Sequence, residues 1–405
     1  MKTLSLFYVF LFLLFFIECT YQSRDVESNT INLNQISTVS IFDVFQEVDA
    51  IQLETSERSL IGYIYRLIEF LDKFLILDYG NQKVLCFSNE GSFLFQVGNP
   101  GNGIGEYKWV TDIAFNPQDS TILLLDATGN KILVFCKDGV FNNTFSVKTT
   151  QRGLNRLIPI SGNRFLLYVM GLNEWLVYST FDERTTNSFG GSLGQQGFFL
   201  SLDNVYSFDG NGFFFPPFES TIWKLCDEGW SIHKKFDFGP HNNDTNSTRK
   251  VFDLIPEWER ENRRIMPNFF TGKGRLLNHH LIQAFETQRF LVLNIEFQNE
   301  PKNVLIDKIN GKQKVFNSFS ENLCFPLYAH KQSNSLIMTR RIEPSKPNER
   351  FLKMYPKDAE DIVSFYNRNH TFYTRDILTE RGKEVYDNHD PMHDNPYLVI
   401  FRFKE

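Results

Sequence analysis

Phe74-Leu-Ile-Leu-Asp78, followed by Gly80-Asn81-Gln-Lys83-Val84-Leu-Cys-Phe87 and Asn89-Glu-Gly91, is a unit that this chain repeats. The second copy reads Ile122-Leu-Leu-Leu-Asp126, Gly129-Asn130-Lys131-Ile132-Leu-Val-Phe135 and Asp138-Gly139. The spacing from aspartate to aspartate is 126 − 78 = 48 residues, and the spacing between the closing glycines, 139 − 91, is the same. A period of this length is typical of repeat architectures.

Each copy predicts short antiparallel strands. The apolar run that ends at Asp78 or Asp126 suits a strand covered on both faces, and the Gly, Asn and Asp residues that follow it are turn formers. A second strand comes next, and a third follows at 92–97 or 140–147. Three or four strands in roughly 45 to 50 residues is the size of one propeller blade. Because one blade cannot cover both its faces, several must pack around an axis.

Weaker copies continue along the chain, with strand patterns at 163–178, 211–239, 290–311, 335–339 and 394–403. The turn spacing lengthens between Gly229 and Gly311, which predicts an insertion of about thirty residues, placed at about 240–285 between blades four and five. The fold predicted is all-β: a six-bladed β-propeller of four-stranded antiparallel blades. Because a closed ring must join its ends, we expect the last strand to pair in a blade completed by residues 36–53.

The N-terminus has the form of an export signal. Lys2 precedes an apolar run from Leu4 to Ile17, which is typical of a secretory signal and is short for a membrane span of about 20 residues. Cys19 ends the run and resembles the cysteine of a bacterial lipoprotein signal, although Glu18 stands where a small residue is usual. We therefore expect a signal peptide over 1–19, lipid attachment at Cys19, a flexible tether over 20–35 and the propeller over 36–405. A plain secreted protein cut near residue 20 and an uncleaved N-terminal anchor remain alternatives.

Charge and composition narrow the class of protein. The formal net charge is −6 without a basic block, which argues against nucleic-acid binding. Aromatic residues make up 15% of the chain, and 42 of them are Phe, in keeping with rings that fill the space between stacked sheets. The cysteines other than Cys19 are predicted to be free, buried thiols, with two disulfides as the alternative; they are Cys86, Cys136, Cys226 and Cys324.

The search for catalytic chemistry assigns no catalytic residue, no metal ligand and no cofactor. A nucleophile elbow and a zinc-protease motif are both missing from the sequence. His389 and His393 have metal-ligand spacing on a helix, but the proline between them favours a solvated loop. Asp78 and Asp126 recur with the blade period, so they are interpreted as turn-capping residues. The ligand-binding residues stay unknown at this level.

The repeated string from Asp78 to Gly91 is similar to NHL-type propeller repeats. The larger pattern resembles the six-bladed β-propeller lipoprotein family of Gram-negative anaerobes, in the stretches 51–62, 101–107, 221–225, 236–239 and 394–398. The resemblance implies a six-bladed ring that is exported to an envelope surface and tethered by lipid. It implies no particular activity.

Together these features predict a binding or scaffolding module for a glycan, peptide or partner protein. We expect a monomer held by its lipid at the outer membrane or cell surface, or at the periplasmic face. One rival hypothesis is a propeller enzyme, a lyase or hydrolase with a metal-dependent site in the axial channel. The other is a structural subunit of a surface transport complex.

Overall fold

A computed structural model describes residues 29–148, 153–169, 174–189, 204–216, 218–226, 229–243, 278–298, 300–326, 329–340, 375–390 and 392–405. Over these residues the chain forms six four-stranded antiparallel blades, with very little helix. The sequence prediction of an all-β, six-bladed propeller is therefore confirmed.

The strands follow one another in chain order. The first elements are β1 (Asn29–Thr30), helix α1 (Ile41–Val44) and β2 (Phe45–Gln52). Blade one contains β3 (Ile64–Phe70), β4 (Lys73–Asp78), β5 (Lys83–Ser88) and β6 (Phe93–Gln96). A short parallel pair, β7 (Asn99–Pro100) and β8 (Glu106–Tyr107), connects it to the next blade. Blade two contains β9 (Val110–Asn116), β10 (Thr121–Asp126), β11 (Lys131–Cys136) and β12 (Phe141–Ser146).

The next three blades repeat this order. Blade three contains β13 (Leu154–Ile160), β14 (Arg164–Val169), β15 (Glu174–Ser179) and β16 (Arg184–Phe189). Blade four contains β17 (Val205–Phe208), β18 (Asn211–Phe214), β19 (Thr221–Cys226) and β20 (Gly229–Asp237), followed by a 3-10 turn at Gly239–His241. Blade five contains β21 (His279–Glu286), β22 (Phe290–Phe297), β23 (Glu300–Asp307) and β24 (Gln313–Phe316).

Blade six joins the two ends of the described chain. It contains β25 (His330–Lys331), β26 (Ser335–Arg340) and β27 (Tyr397–Phe403), and β2 forms its outer strand. A 3-10 turn at Arg375–Ile377 and helix α2 (Glu380–Asn388) precede β27. Strand β2 pairs with β27 from Phe45 opposite Phe403 to Gln52 opposite Tyr397. The predicted pairing of the last strand with N-terminal residues is confirmed.

The core consists of apolar layers between neighbouring blades. Residues from β4 and β5 pack against residues from β9 and β10, and a similar layer lies between every described pair of adjoining blades. At the closing blade, the ring of Phe45 lies 4.7 Å from that of Phe403 and 5.4 Å from that of Phe401, measured between centroids. The high Phe content of the sequence therefore fills the space between blades, where neither face of a sheet meets water.

In blades one and two, the repeated aspartates connect the start of the first strand to the end of the second. Asp78 is fully buried, and its carboxylate accepts the backbone N–H groups of Gly62 (2.8 Å) and Tyr63 (2.9 Å), just before β3. Asp126 accepts the N–H groups of Lys108 (3.0 Å) and Trp109 (3.2 Å) in the same way. Both also cap the following turn, through Asn81 or Gly129. The turn-capping interpretation is correct, and the same aspartates also hold the backbone at the start of blades one and two.

Two boundaries differ from the sequence prediction. Residues 29–35 belong to the predicted tether, but β1 pairs in parallel with β20, and Ile31 and Leu33 are 1% and 0% exposed. They pack there because these two side chains add to the apolar layer between blades four and five. The predicted insertion reached residue 285, yet β21, the first strand of blade five, begins at His279. Residues 1–28, including Cys19, and 244–277 lie outside the described residues.

Two side-chain predictions also need correction. The four described cysteines are free, as expected, but only Cys86 is buried, and Cys136 is exposed because it ends its strand at the blade surface. His389 was predicted to lie in a solvated loop, but its side chain is buried. Its ring packs on Tyr397 at 4.9 Å between centroids, and Nδ1 lies 2.7 Å from Oε1 of Gln52. His393 is exposed, as predicted.

Candidate binding site in the axial channel

A cavity of about 600 Å³ lies on the axis of the ring. The first strands of all six blades, β3, β9, β13, β17, β21 and β25, contribute residues to its wall. Its volume is within the range of about 300–1,000 Å³ that is usual for small-molecule sites. The first strand of each blade is therefore the innermost, and the channel is the place where all six blades can present side chains to one ligand.

The pairing of the first and second strands is irregular at equivalent points of four blades. The ladder between the first and second strands skips one residue at Tyr65, Thr111, Asn155 and Ile282. The residues that follow these bulges are all polar, and they are Arg66, Asp112, Arg156 and Gln283. A bulge bends a strand and changes the direction of its side chains. We call these four residues the polar ring.

Asp112 is the centre of the polar ring. Its side chain is fully buried, and Oδ2 accepts the backbone N–H of Leu157 at 2.8 Å. Oδ1 lies 3.4 Å from Nε of Arg66 and 3.7 Å from a terminal guanidinium nitrogen of Arg156. One carboxylate thus connects blades one, two and three. Arg66 and Arg156 line the channel, with side chains 24% and 13% exposed.

His330 adds a neutral imidazole to the same part of the channel. It is the first residue of β25, in blade six, and it lines the cavity. Burial, together with the positive charges of Arg66 and Arg156, lowers the pKa of His330 to about 3. At neutral pH His330 is therefore uncharged, and its charged neighbours are the guanidiniums of Arg66 and Arg156.

Aromatic side chains lead from the channel wall to the rim. Tyr65 lines the cavity, and its ring centroid lies 5.0 Å from that of Tyr79. The ring of Tyr79 meets that of Trp109 edge-on at 5.4 Å, and the indole N–H of Trp109 donates to the Tyr79 hydroxyl at 3.2 Å. Trp109 and Tyr63 are 41% and 60% exposed. They occupy equivalent positions, since each donates its backbone N–H to the buried aspartate of its blade.

A second cluster lies where blades four and five meet the channel. Glu286 accepts hydrogen bonds from the hydroxyl of Tyr206 (3.0 Å) and the ammonium of Lys308 (3.1 Å), and Nε2 of His233 lies 2.9 Å from it. Burial raises the pKa of Glu286, but the contacts with His233 and Lys308 outweigh it and hold the pKa below its usual value. Burial and the neighbouring Glu286 raise the pKa of Tyr206 well above its usual value. A carboxylate with three partners suits a structural link between blades.

The described residues place no metal centre in the channel. Among them, no group of three or more His, Cys, Asp or Glu side chains is arranged to hold a metal ion. His389 and His393 do not face the cavity, and Cys19 falls in the part of the chain that is not described. None of the helices within the described ranges has the length and apolar character needed to cross a membrane.

Sequence reasoning did not identify the polar ring, although a signal was present. Each copy of the first strand places one or two polar residues directly after its first apolar residue, at Tyr65-Arg66, Thr111-Asp112 and Asn155-Arg156. In a strand that is otherwise buried, polar residues at a repeated position indicate a shared environment. The bulges that turn these residues toward the axis depend on pairing between strands, which the sequence does not display directly.

The propeller and its channel can be compared with known proteins. The profile of a family described as "Domain of unknown function (DUF4934)" matches residues 25–402. The chain belongs to the DUF4934 family. The comparison with curated proteins found no match.

Solved structures similar to this DUF4934 protein share little sequence with it. A "putative exported protein" from Bacteroides fragilis has a TM-score of 0.62 at 14% identity, over 92% of this chain and 98% of that one. A member of the DUF4221 family from Bacteroides vulgatus has a TM-score of 0.45 at 10% identity, over 89% and 97%. A virginiamycin B lyase from Staphylococcus aureus has a TM-score of 0.38 at 11% identity, over 67% and 74%. The first likeness shows a shared fold along nearly the whole of both chains.

Proposed function

We propose that this DUF4934 protein is a binding or scaffolding module of the cell envelope, and that its ligand, a glycan, a peptide or a segment of a partner protein, enters the axial channel. The observation that carries this proposal is the polar ring. Three blades present a polar side chain to one cavity at equivalent positions, through Arg66, Arg156 and Gln283, and His330 joins them from blade six. Asp112, at the equivalent position of blade two, is buried and contacts both guanidiniums. Convergent polar groups in a cavity are the usual form of a ligand site.

The site favours binding over hydrolysis or elimination. General acids and bases work best with a pKa near the working pH, whereas burial and two guanidiniums lower the pKa of His330 to about 3, and burial and Glu286 raise that of Tyr206 well above its usual value. Glu286 is shifted toward the ionised form and already has three partners. These groups lie on paired strands of the blades. From there they can orient a ligand through hydrogen bonds and charge.

The proposal is tested by measuring binding with the channel open and blocked. Ser207 lines the cavity at an exposed position of β17, so Ser207→Trp fills the channel without entering the core. Ile232→Trp is the matched control, because Ile232 is exposed on the outer strand of the same blade. Purified protein is titrated against glycan and peptide libraries. We expect ligands that bind the native and Ile232→Trp proteins but lose binding to Ser207→Trp. Equal binding to all three proteins, or turnover of a bound ligand, would contradict the proposal.

We also propose export and anchoring through a lipid on Cys19. The basic residue, the apolar run and the cysteine at its end support this proposal, as does the resemblance to the propeller lipoprotein family. The "putative exported protein" with the same fold is consistent with it. Mass spectrometry of the mature N-terminus tests it. A diacylated Cys19 that is lost in Cys19→Ala but kept in Cys136→Ala is expected, and an unmodified N-terminus elsewhere would exclude the lipid anchor.

A further inference from the structure

We propose that the ligand of the axial channel is an acidic saccharide, with its carboxylate held by Arg66 and Arg156 and its sugar rings stacked on Tyr63 and Trp109. This inference rests on the proposed function and names the class of ligand. It combines two features that the binding proposal does not use together, the positive charge of the polar ring and the exposed aromatic rings at the rim.

The polar ring is suited to an anion. Two guanidiniums share the single carboxylate of Asp112, which also accepts a backbone N–H from Leu157. Three acidic residues also line the wall. Glu69 lies 3.0 Å from Arg402 and Glu286 lies 3.1 Å from Lys308, whereas Asp209 is exposed in the turn after β17. A guanidinium presents a planar fork of donors that matches a carboxylate. An incoming carboxylate at Arg66 and Arg156 would therefore meet two guanidiniums that share one carboxylate, inside a cavity where such interactions are stronger than in water.

The rim is suited to flat rings with hydroxyl groups. Tyr63 and Trp109 are exposed at equivalent positions of adjoining blades, and the buried carboxylates of Asp78 and Asp126 fix the backbone of both. The contacts from Tyr65 through Tyr79 to Trp109 join this rim to the channel wall beside Arg66. Aromatic faces provide rigid apolar surface, and a tyrosine hydroxyl such as that of Tyr63 provides a hydrogen-bonding group. The indole N–H of Trp109 already donates to Tyr79, which orients its ring.

An acidic saccharide can contact both the guanidiniums of the polar ring and the aromatic rings at the rim, because its carboxylates and ring faces belong to the same rigid units. The carboxylate of a uronic acid is fixed to the ring, and successive residues of an oligosaccharide can reach the guanidiniums in the channel and the aromatic rings at the rim. An acidic peptide carries its carboxylates on flexible side chains, and immobilising them costs conformational entropy. The geometry therefore favours an acidic saccharide over an acidic peptide.

The test is a titration of the mature protein with four matched probes: trigalacturonate, its methyl ester, neutral trigalactose and triglutamate. Arg156→Gln removes one guanidinium, and Arg156→Lys keeps its charge without the fork. Arg184→Gln is the control on the outer strand of the same blade, where the side chain is 81% exposed. Trp109→Ala removes a rim ring, and Phe181→Ala, at a residue 95% exposed, is its control. Thermal melts verify that each variant is folded.

We expect trigalacturonate to bind tighter than the other three probes and to bind less tightly as salt is raised. Arg156→Gln should weaken it about 10- to 100-fold, Arg156→Lys less, and Trp109→Ala about 3- to 10-fold, while both controls leave it unchanged. Equal binding of the ester, or tighter binding of triglutamate, would overturn the proposal. If no probe binds but a library ligand binds and is blocked by Ser207→Trp, the axial site stands and the acidic saccharide is wrong.

Discussion

The guanidinium of Arg66 lies 3.4 Å from the carboxylate of Asp112, and the two residues belong to neighbouring blades. Each follows a bulge at the same position of the innermost strand. Arg156, at the corresponding position of the third blade, approaches the same carboxylate at 3.7 Å. The repeated architecture thus brings equivalent positions together, and differences in side chain between the copies create an ion-pair network that connects three blades.

Asp112→Asn is expected to lower the free energy of unfolding by about 2–3 kcal/mol. Removing one partner of a buried ion pair costs about 3–5 kcal/mol, and the partial exposure of the two guanidiniums reduces that cost. Chemical denaturation measures the change. Asp182→Asn, at a surface pair with Arg184, is the control and should change stability by less than about 0.5 kcal/mol. Equal effects of the two substitutions would show that the network does not hold the blades together.

Asp78→Ala is expected to cost about 1–3 kcal/mol, because the backbone N–H groups of Gly62 and Tyr63 both lose their acceptor. Asp126→Ala should behave alike, since it occupies the same position of the next blade. Asp138→Ala serves as the comparison, because its side chain is 58% exposed. If the buried and exposed aspartates prove equally dispensable in denaturation experiments, the assigned role of the repeated aspartates is wrong.

Phe45→Ala is expected to destabilise the protein by about 3–5 kcal/mol, the usual cost of removing a buried Phe ring. The ring lies in the closing blade against Phe401 and Phe403. Phe42→Ala, three residues earlier and 43% exposed, should have little effect. The comparison measures how much closure of the ring contributes to stability, and a small effect at Phe45 would mean that the blades hold without it.

His279 is expected to make the protein less stable in mild acid. Burial lowers the pKa of this residue to about 4, so between about pH 6.5 and pH 4 the unfolded chain binds a proton that the folded chain does not. Stability falls as the pH falls through this window, with a slope of up to about 1.4 kcal/mol per pH unit from this one group.

His279→Gln should reduce that slope when the free energy of unfolding is measured from pH 7 to pH 4. His393→Gln is the control, because Asp390 raises the pKa of the exposed His393 and gives the opposite sign. An unchanged slope in His279→Gln would show that His279 is not the group responsible.

Local sequence signals were sufficient for the fold. The apolar runs that end in Asp78 and Asp126, and the turn residues after them, fix strand lengths and the period, and the period leads directly to a ring of blades. Local signals also predicted how the ring closes, because the strong last strand needs a partner strand from the N-terminus. The polar ring was not predicted because its members are far apart in the sequence: 112 − 66 = 46, 156 − 112 = 44 and 283 − 156 = 127 residues. Only a ring of blades with aligned bulges brings them together.

The predicted tether boundary and the predicted exposure of His389 were wrong for a related reason. Residues 29–35 are polar overall, but Ile31 and Leu33 alternate in a way that becomes significant only beside an open strand edge at β20. His389 follows a helix and precedes a turn, so its burial depends on Gln52 and Tyr397 from distant parts of the chain. Contacts of this kind follow from tertiary packing rather than from local pattern.

The location of a bound ligand decides whether the axial channel is the binding site. The tightest ligand from the library titration is to be soaked or co-crystallised with the mature protein, and its position determined by X-ray diffraction. We predict electron density for the ligand in the channel, within hydrogen-bonding distance of Arg66 or Arg156. Density on the outer strands of the blades, with the channel filled only by solvent, would contradict the proposal.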